Sequence, residues 1–218
     1  MYINAPKNLL ELQQRCQQIT DKTIGSLAEE LNLPVPADLL HAKGWIGQLI
    51  EAYLGATASS QALPDFPHLG IELKTIPVNK QNKPLESTYV CTVQTNEKVL
   101  AWHDSWVYHK LKHVLWVPLL ASPELAITDR VIQAPILWQM DPATEDILRT
   151  DWEELMDMLA LGYAKTLSAK YGTFLHIRPK AANSHVLVDY VDSEGNNTKI
   201  VPKGFYLRTQ FTQAILSS

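Results

Sequence analysis

The sequence predicts an α/β fold, and three stretches carry that expectation. Residues from about 7 to 19 place Leu9, Leu12, Cys16 and Ile19 at helical spacing. The run Gly70-Ile71-Glu72-Leu73-Lys74-Thr75-Ile76 alternates apolar and polar residues as a half-buried strand does. Asp141-Pro142 then opens a long helical pattern, with an acid to cap it and proline in the first turn. With 218 residues the chain is one domain or two closely packed lobes, long enough to bury a sizeable core.

Each element follows in order. After the first helix a short one is expected over roughly 23–31, broken by Pro34 and Pro36. Lys43 to Gly55, KGWIGQLIEAYLG, carries Ile46, Leu49, Ile50, Tyr53 and Leu54 as one stripe, and Gly55 suits a C-terminal stop. The alternating run continues to Val78. A polar turn, Asn79 to Pro84, leads to a second strand at roughly 87–93, so a hairpin with a longer loop is expected. The aromatic- and histidine-rich segment 102–113 precedes a strand, VLWVPLL, at 114–120, and another is expected near 131–138. In the helix after Asp141, Gly162 is read as a bend and Gly172 as the stop, with the carboxylates at 151, 153, 154 and 157 as a solvated face. A strand at 173–177 runs into Arg178-Pro179-Lys180. A turn at 193–197, a strand near Ile200, the segment PKGFYLR and a short helix close the chain.

Composition excludes several classes. A hydrophobic content of 46% with 19% charged residues is that of an ordinary globular protein. No apolar run reaches the length of a membrane span, and the N-terminal stretch lacks the charged start and apolar core of a secretory signal. A cytoplasmic location is therefore expected. The two cysteines, Cys16 and Cys91, fit a reducing compartment and argue against a disulfide framework or zinc cluster, and the seven histidines are scattered. A net charge of −4 opposes avid nucleic-acid binding. Basic residues nevertheless cluster at His109 to His113, at Arg178 and Lys180, and at Lys199, Lys203 and Arg208, so any DNA binding is expected to be weak and salt-sensitive.

The stretch Asp65 to Lys74, DFPHLGIELK, carries the sharpest chemistry. In a strand, Glu72 and Lys74 share one face and Ile71 and Leu73 the other. Asp65 lies in a proline-flanked loop just upstream. A loop acid and a strand acid can converge on one cation with a lysine beside them, the layout of a metal-dependent phosphodiesterase site. Glu-x-Lys is also common on the wet face of strands, where the pair is weak. Glu51 lies off the apolar stripe of its helix, with Gly47 and Gly55 one turn away on either side. Those glycines invite either close approach of a ligand or another backbone, or a solvated glutamate. Arg178-Pro179-Lys180 presents two cations on a stiff turn, suited to guanine or phosphate or simply to a basic loop.

Taken together, GWIGQLIEAYLG, the Asp65 loop, GIELKTIPV, HKLKHVLWVP, DWEELMDM, IRPKAAN and GFYL resemble, in this order and over nearly the whole chain, the MutH family of strand-nicking endonucleases of methyl-directed mismatch repair. The resemblance implies a restriction-endonuclease-like mixed β-sheet flanked by helices, split into two arms around a DNA cleft. It implies one domain over 1–218, with a catalytic arm up to roughly residue 120 and a DNA-reading arm beyond it. Residue by residue, Asp65, Glu72 and Lys74 match the catalytic triad, and Glu51 an additional acid whose glycine-flanked face would admit metal and DNA. Lys110 matches an active-site lysine, with Lys112 as the alternative register. Lys43 matches a DNA-contacting lysine. Arg178, Pro179 and Lys180 match the turn that reads the target, Tyr206 matches a tyrosine associated with sensing adenine methylation, and Tyr89 falls where another aromatic meets DNA.

The implied reaction is hydrolysis of one backbone bond at GATC, on the strand lacking adenine methylation. The implied cofactor is magnesium on Asp65, Glu72 and the Leu73 carbonyl, with Glu51 serving a second ion; manganese or calcium are alternative occupants. The implied partners are double-stranded DNA, MutL as activator and MutS upstream, with the chain a monomer. Some relatives continue beyond the FTQAIL helix, so no role is assigned to the extreme C-terminus. Two rival readings are a GATC restriction-like endonuclease and a catalytically silent DNA-binding or adaptor module on the same fold. A broken triad would mark the silent module, whereas all three positions are filled here.

Overall fold

The computed structural model describes residues 3–37, 44–58, 63–93, 101–122, 124–180 and 186–217. In chain order the elements are α1 (Leu9–Ile19), α2 (Ile24–Glu30), α3 (Trp45–Leu54), β1 (Glu72–Val78), β2 (Thr88–Thr92), α4 (Trp106–Leu111), β3 (His113–Leu120), β4 (Val131–Ile132), β5 (Ile136–Gln139), α5 (Pro142–Ala160), β6 (Leu175–Pro179), β7 (Val188–Val191), β8 (Asn197–Ile200), β9 (Lys203–Leu207) and α6 (Thr209–Leu216). Local chemistry sets the starts of several helices. Asn8, Thr23, Ser105 and Asp141 each accept a backbone N–H of the first turn on a side-chain oxygen, which satisfies donors the helix itself cannot.

The chain forms two compact units, each drawn from several stretches of sequence. The first holds residues 1–86, 113–139 and 215–218; the second holds 87–112 and 140–214. This division by compactness differs from the functional arms expected on either side of residue 120.

The first unit is built on a mixed sheet. β1 and β3 pair in parallel, Leu73 against Leu115, while β4 and β5 both pair antiparallel to β3. The single strand expected near 131–138 is thus two strands, separated at Ala134-Pro135, where proline removes a ladder donor. Helices α1 to α3 supply the core on one side. Leu12, Cys16, Ile19, Leu27, Leu49, Ile50 and Leu54 pack with Leu73, Leu115 and Val117. Burial among them pushes the Cys16 thiol up to about 12, so it is an inert core group.

The second unit contains a three-stranded antiparallel sheet, β2-β9-β6, and the separate ribbon β7-β8. The expected β1–β2 hairpin does not form. A bridge between Val78 and Pro84 ends the first strand's turn, after which β2 pairs with β9, more than a hundred residues further along the chain. Sequence proximity favoured the hairpin; the apolar face of β2, Val90 among it, is buried in a different sheet.

Two expectations about the long helix are also corrected. Gly162 does not bend α5 but follows its end: Leu161 is the cap and Gly162 takes φ +85°. Nothing larger fits there, because a Cβ would lie 2.2 Å from the Ser193 backbone nitrogen. Asp151 is not on the solvated face. It is buried, between Leu148 and Leu155 on the inward stripe, and accepts backbone N–H groups from Thr173, Phe174 and Leu175 at 2.7, 2.7 and 2.8 Å. A helix carboxylate thereby fixes where β6 begins. Among the described residues no helix is long and apolar enough to cross a membrane.

Candidate functional site

The acid–lysine stretch is organised by a tight turn. Phe66 and Ile71 bridge each other, with backbone bonds of 2.9 and 3.3 Å closing Pro67 to Gly70 into a loop. This brings Asp65 beside the start of β1. Its Oδ2 accepts the Leu73 backbone N–H at 2.7 Å, and its carbonyl accepts the Thr57 N–H at 3.0 Å. On β1, Lys74 Nζ donates to Glu72 Oε1 at 3.2 Å. All three charged side chains are buried: Asp65 is 6% exposed, Glu72 5% and Lys74 8%.

That burial sets the pair apart from a Glu-x-Lys on an exposed strand face. On a wet strand face the pair would be weak and screened. Here two carboxylates and one ammonium are held out of water, where each ion needs its partners and where removing one leaves the others uncompensated. The reason lies in the sheet. Glu72 and Lys74 sit opposite Val114 and Trp116 of β3, both fully buried, so this face of β1 is covered as the other is.

Glu51 lies on α3, which packs against β1, and is half-buried. Of the glycines around it, Gly55 has a structural cause. Gly55 caps α3 at φ +82°, and a Cβ there would lie 2.4 Å from the Asn4 carbonyl oxygen and 2.6 Å from Arg15 Nη1. Arg15 itself donates to the Asn4 and Leu54 carbonyls. The close approach is therefore that of the chain's own N-terminal segment. At Gly47 the nearest atom to such a Cβ is Glu51 Oε1, at 3.8 Å, so Glu51 lies along its own helix.

The donor set suits a hard cation. Asp65 and Glu72 offer carboxylate oxygens, and the Leu73 carbonyl follows Glu72 directly in sequence; magnesium needs only one or two carboxylates and keeps waters. No group of three or more His, Cys, Asp or Glu side chains is arranged for a metal among the described residues.

The second unit gathers most of the remaining residues. In the β2-β9-β6 sheet Tyr89 pairs with Tyr206, and Tyr206 with His176; two residues along, Arg178 pairs with Gly204. Lys180 is bonded through its backbone N–H to the Pro202 carbonyl at 2.6 Å. Tyr89 and Tyr206 meet edge to face at 5.4 Å. Lys180 Nζ stands 4.2 Å from the centre of the Tyr89 ring, and the Arg178 guanidinium 5.7 Å from that of Tyr206. Arg178, Pro179 and Lys180 are exposed while both tyrosines are half-buried. Gly204 makes room: a Cβ there would come within 3.0 Å of Tyr89 Cε2, 3.2 Å of Tyr206 Cε2 and 3.3 Å of Lys180 Cβ.

Lys110 is half-buried on α4, which packs against β2, and its charge favours the ionised form of the Tyr89 hydroxyl, whose pKa burial raises overall. Lys112 is also half-buried and follows the end of α4. Lys43 lies outside the described residues. The cluster Lys199, Lys203 and Arg208 is not a basic surface patch. Lys203 is buried and donates to the Leu167 carbonyl at 3.0 Å, and desolvation lowers its pKa. Arg208 donates to the carbonyls of Ala169, Tyr171 and Gly172.

Buried Asp, Glu and Lys side chains at the start of a mixed-sheet strand, and a separate sheet face with cations over aromatic rings, are the kinds of group that phosphate chemistry and nucleic-acid contact employ. The family model described as DNA mismatch repair enzyme MutH matches residues 54–151, which span Asp65, Glu72, Lys74, Tyr89 and Lys110. The DNA mismatch repair protein MutH of Shewanella baltica (strain OS185) is 46% identical over 213 residues, covering 97% of this chain and 96% of that protein. The protein of the same name from Serratia proteamaculans (strain 568) is 44% identical over 213 residues, covering 97% of this chain and 93% of its own length. The chain belongs to the MutH family.

Proposed function

We propose that this chain is the endonuclease of methyl-directed mismatch repair, hydrolysing one phosphodiester bond at GATC on the strand that lacks adenine methylation. The observation that carries this reading is the buried meeting of Asp65, Glu72 and Lys74 around the first residues of β1. A site built only for stability would gain more from apolar side chains than from two strand charges and a loop carboxylate buried together.

In this reading Asp65, Glu72 and the Leu73 carbonyl hold magnesium, with Glu51 serving a second ion. The ion, when bound, supplies Lewis-acid stabilisation of charge on the phosphate oxygens. Lys74 orients the attacking water beside the phosphate. Lys110 neutralises charge on the scissile phosphate. Water adds to phosphorus, the bond to the leaving sugar oxygen breaks, and a nick remains. Lys43, Tyr89, Arg178, Pro179, Lys180 and Tyr206 hold and read the duplex. The cations over Tyr89 and Tyr206 are already paired, so they add positive charge to that face without relying on the net charge of the chain, which is −4. Weak binding by an acidic monomer fits a cytoplasmic enzyme that acts when MutL activates it, downstream of MutS.

The test is nicking of hemimethylated GATC duplex by wild type and Glu72→Ala, with and without MutL. Glu72→Ala should lose nicking while retaining specific binding. Magnesium-dependent nicking by purified Glu72→Ala at the wild-type rate would overturn the assignment.

A further inference from the structure

His176 is the least expected group in the second unit. It sits on β6, 4% exposed, and neither ring nitrogen makes a well-formed hydrogen bond among the described residues, the Ala169 backbone bearing on the ring only weakly. Burial, then the charges of Arg208 and Arg178, lower its pKa from 6.5 to about 4, against a weaker pull from the Ala169 backbone. It is therefore a neutral ring at physiological pH. Buried polar atoms without partners are uncommon in folded proteins and call for a reason. An apolar side chain of similar volume would serve packing better.

Its surroundings supply one. In the ladder, Tyr89, Tyr206 and His176 stand opposite one another across three strands. The imidazole meets the Tyr206 ring edge to face, at 6.3 Å and 89°. On its other flank Tyr206 meets Tyr89, below it lies the gap at Gly204, and the Arg178 guanidinium lies over its face. Arg178 is two residues from His176 on the same side of β6. A protonated ring there would repel Arg178; a branched aliphatic chain would give Tyr206 no aromatic edge to meet.

We infer that His176 is a positioning residue for site discrimination, its neutral ring fixing the attitude of Tyr206 and, through it, of Arg178. The inference rests on the reading of Tyr206 as a sensor of adenine methylation, and the two can be told apart.

The experiment measures binding of hemimethylated and fully methylated GATC duplexes by fluorescence anisotropy in EDTA, so that no nicking occurs. The proteins are wild type, Tyr206→Ala, His176→Leu, His176→Phe and the Tyr206→Ala/His176→Leu double variant, with thermal melting of each. His176→Leu should reduce discrimination by about three- to tenfold while melting no lower than wild type. His176→Phe, which keeps an aromatic edge, should keep most of the discrimination. The double variant should discriminate no worse than Tyr206→Ala alone. Full discrimination by His176→Leu beside its loss in Tyr206→Ala would overturn the inference and leave the reading of Tyr206 standing. Equal weakening on both duplexes would overturn it too. Unchanged discrimination in Tyr206→Ala would remove the reading itself, and the inference with it.

Discussion

The two candidate surfaces handle charge in opposite ways. Around the start of β1, Asp65, Glu72 and Lys74 are buried; Lys74 answers Glu72 with opposite charge, and Asp65 accepts the Leu73 backbone N–H. On the β2-β9-β6 sheet, Arg178 and Lys180 are exposed and answered by the faces of Tyr206 and Tyr89. The first arrangement fixes ions at a defined place, which bond-breaking requires. The second leaves positive charge exposed beside the rings, as contact with phosphate or a base edge in the proposed function would require. Damage at the first should therefore reach stability and chemistry together, whereas damage at the second should separate them.

The largest expected effect is at Lys74. Lys74→Met removes the cation from a buried pair and should lower unfolding free energy by about 3–5 kcal/mol as well as abolishing nicking. Urea unfolding that shows no loss would mean that water reaches this face, and the contrast with the second surface would fail. Asp151→Ala comes next. It strips three backbone N–H groups of their acceptor and should cost about 3 kcal/mol. It should also loosen the entry to β6, which carries His176 and Arg178, seen as faster amide exchange at Leu175. Asp151→Ala with unchanged exchange would detach the helix from the reading face.

The smallest effect is a pH dependence. Folded His176 stays neutral down to about 4, whereas unfolded it takes a proton near 6.5. Between these values the unfolded chain binds more protons, so this contribution is complete above pH 6.5 and is lost as pH falls toward 4. The urea midpoint of wild type should drop between pH 7 and pH 5, and that of His176→Leu should drop less. Equal drops would place the titration elsewhere.

The first surface was largely legible in the sequence because its parts are close in it. Asp65 and Lys74 belong to one loop and one strand, and alternation placed Glu72 with Lys74. Their burial was not legible, since it depends on pairing with β3, forty residues on. The second surface comes from three distant strands, so spacing could not assemble it; Tyr206 stands between Lys203 and Arg208, where it could contact a base or be core, and the resemblance alone pointed to Tyr89. His176, Gly204 and Asp151 were missed. His176-x-Arg178-x-Lys180 has the two-residue period of a single strand face, and Asp151 falls on the stripe of Leu148 and Leu155; either pattern could have raised them. The hairpin expectation failed for a related reason. Turn chemistry at Asn79 to Pro84 is real, but a turn does not choose the strand's partner.

The pairing of β2 with β9 also bears on how the protein is made. Thr88 finds Leu207, and Tyr89 finds Tyr206, only after the intervening chain exists. At ribosomal speeds that is about 6–24 seconds during which the strand TYVCT has an unpaired edge. Contacts so distant in sequence also slow folding once the chain is complete. The strand that completes this sheet is thus exposed to mispairing until the last part of the chain is made, and substitutions that slow synthesis or release beyond Val93 would lengthen that exposure.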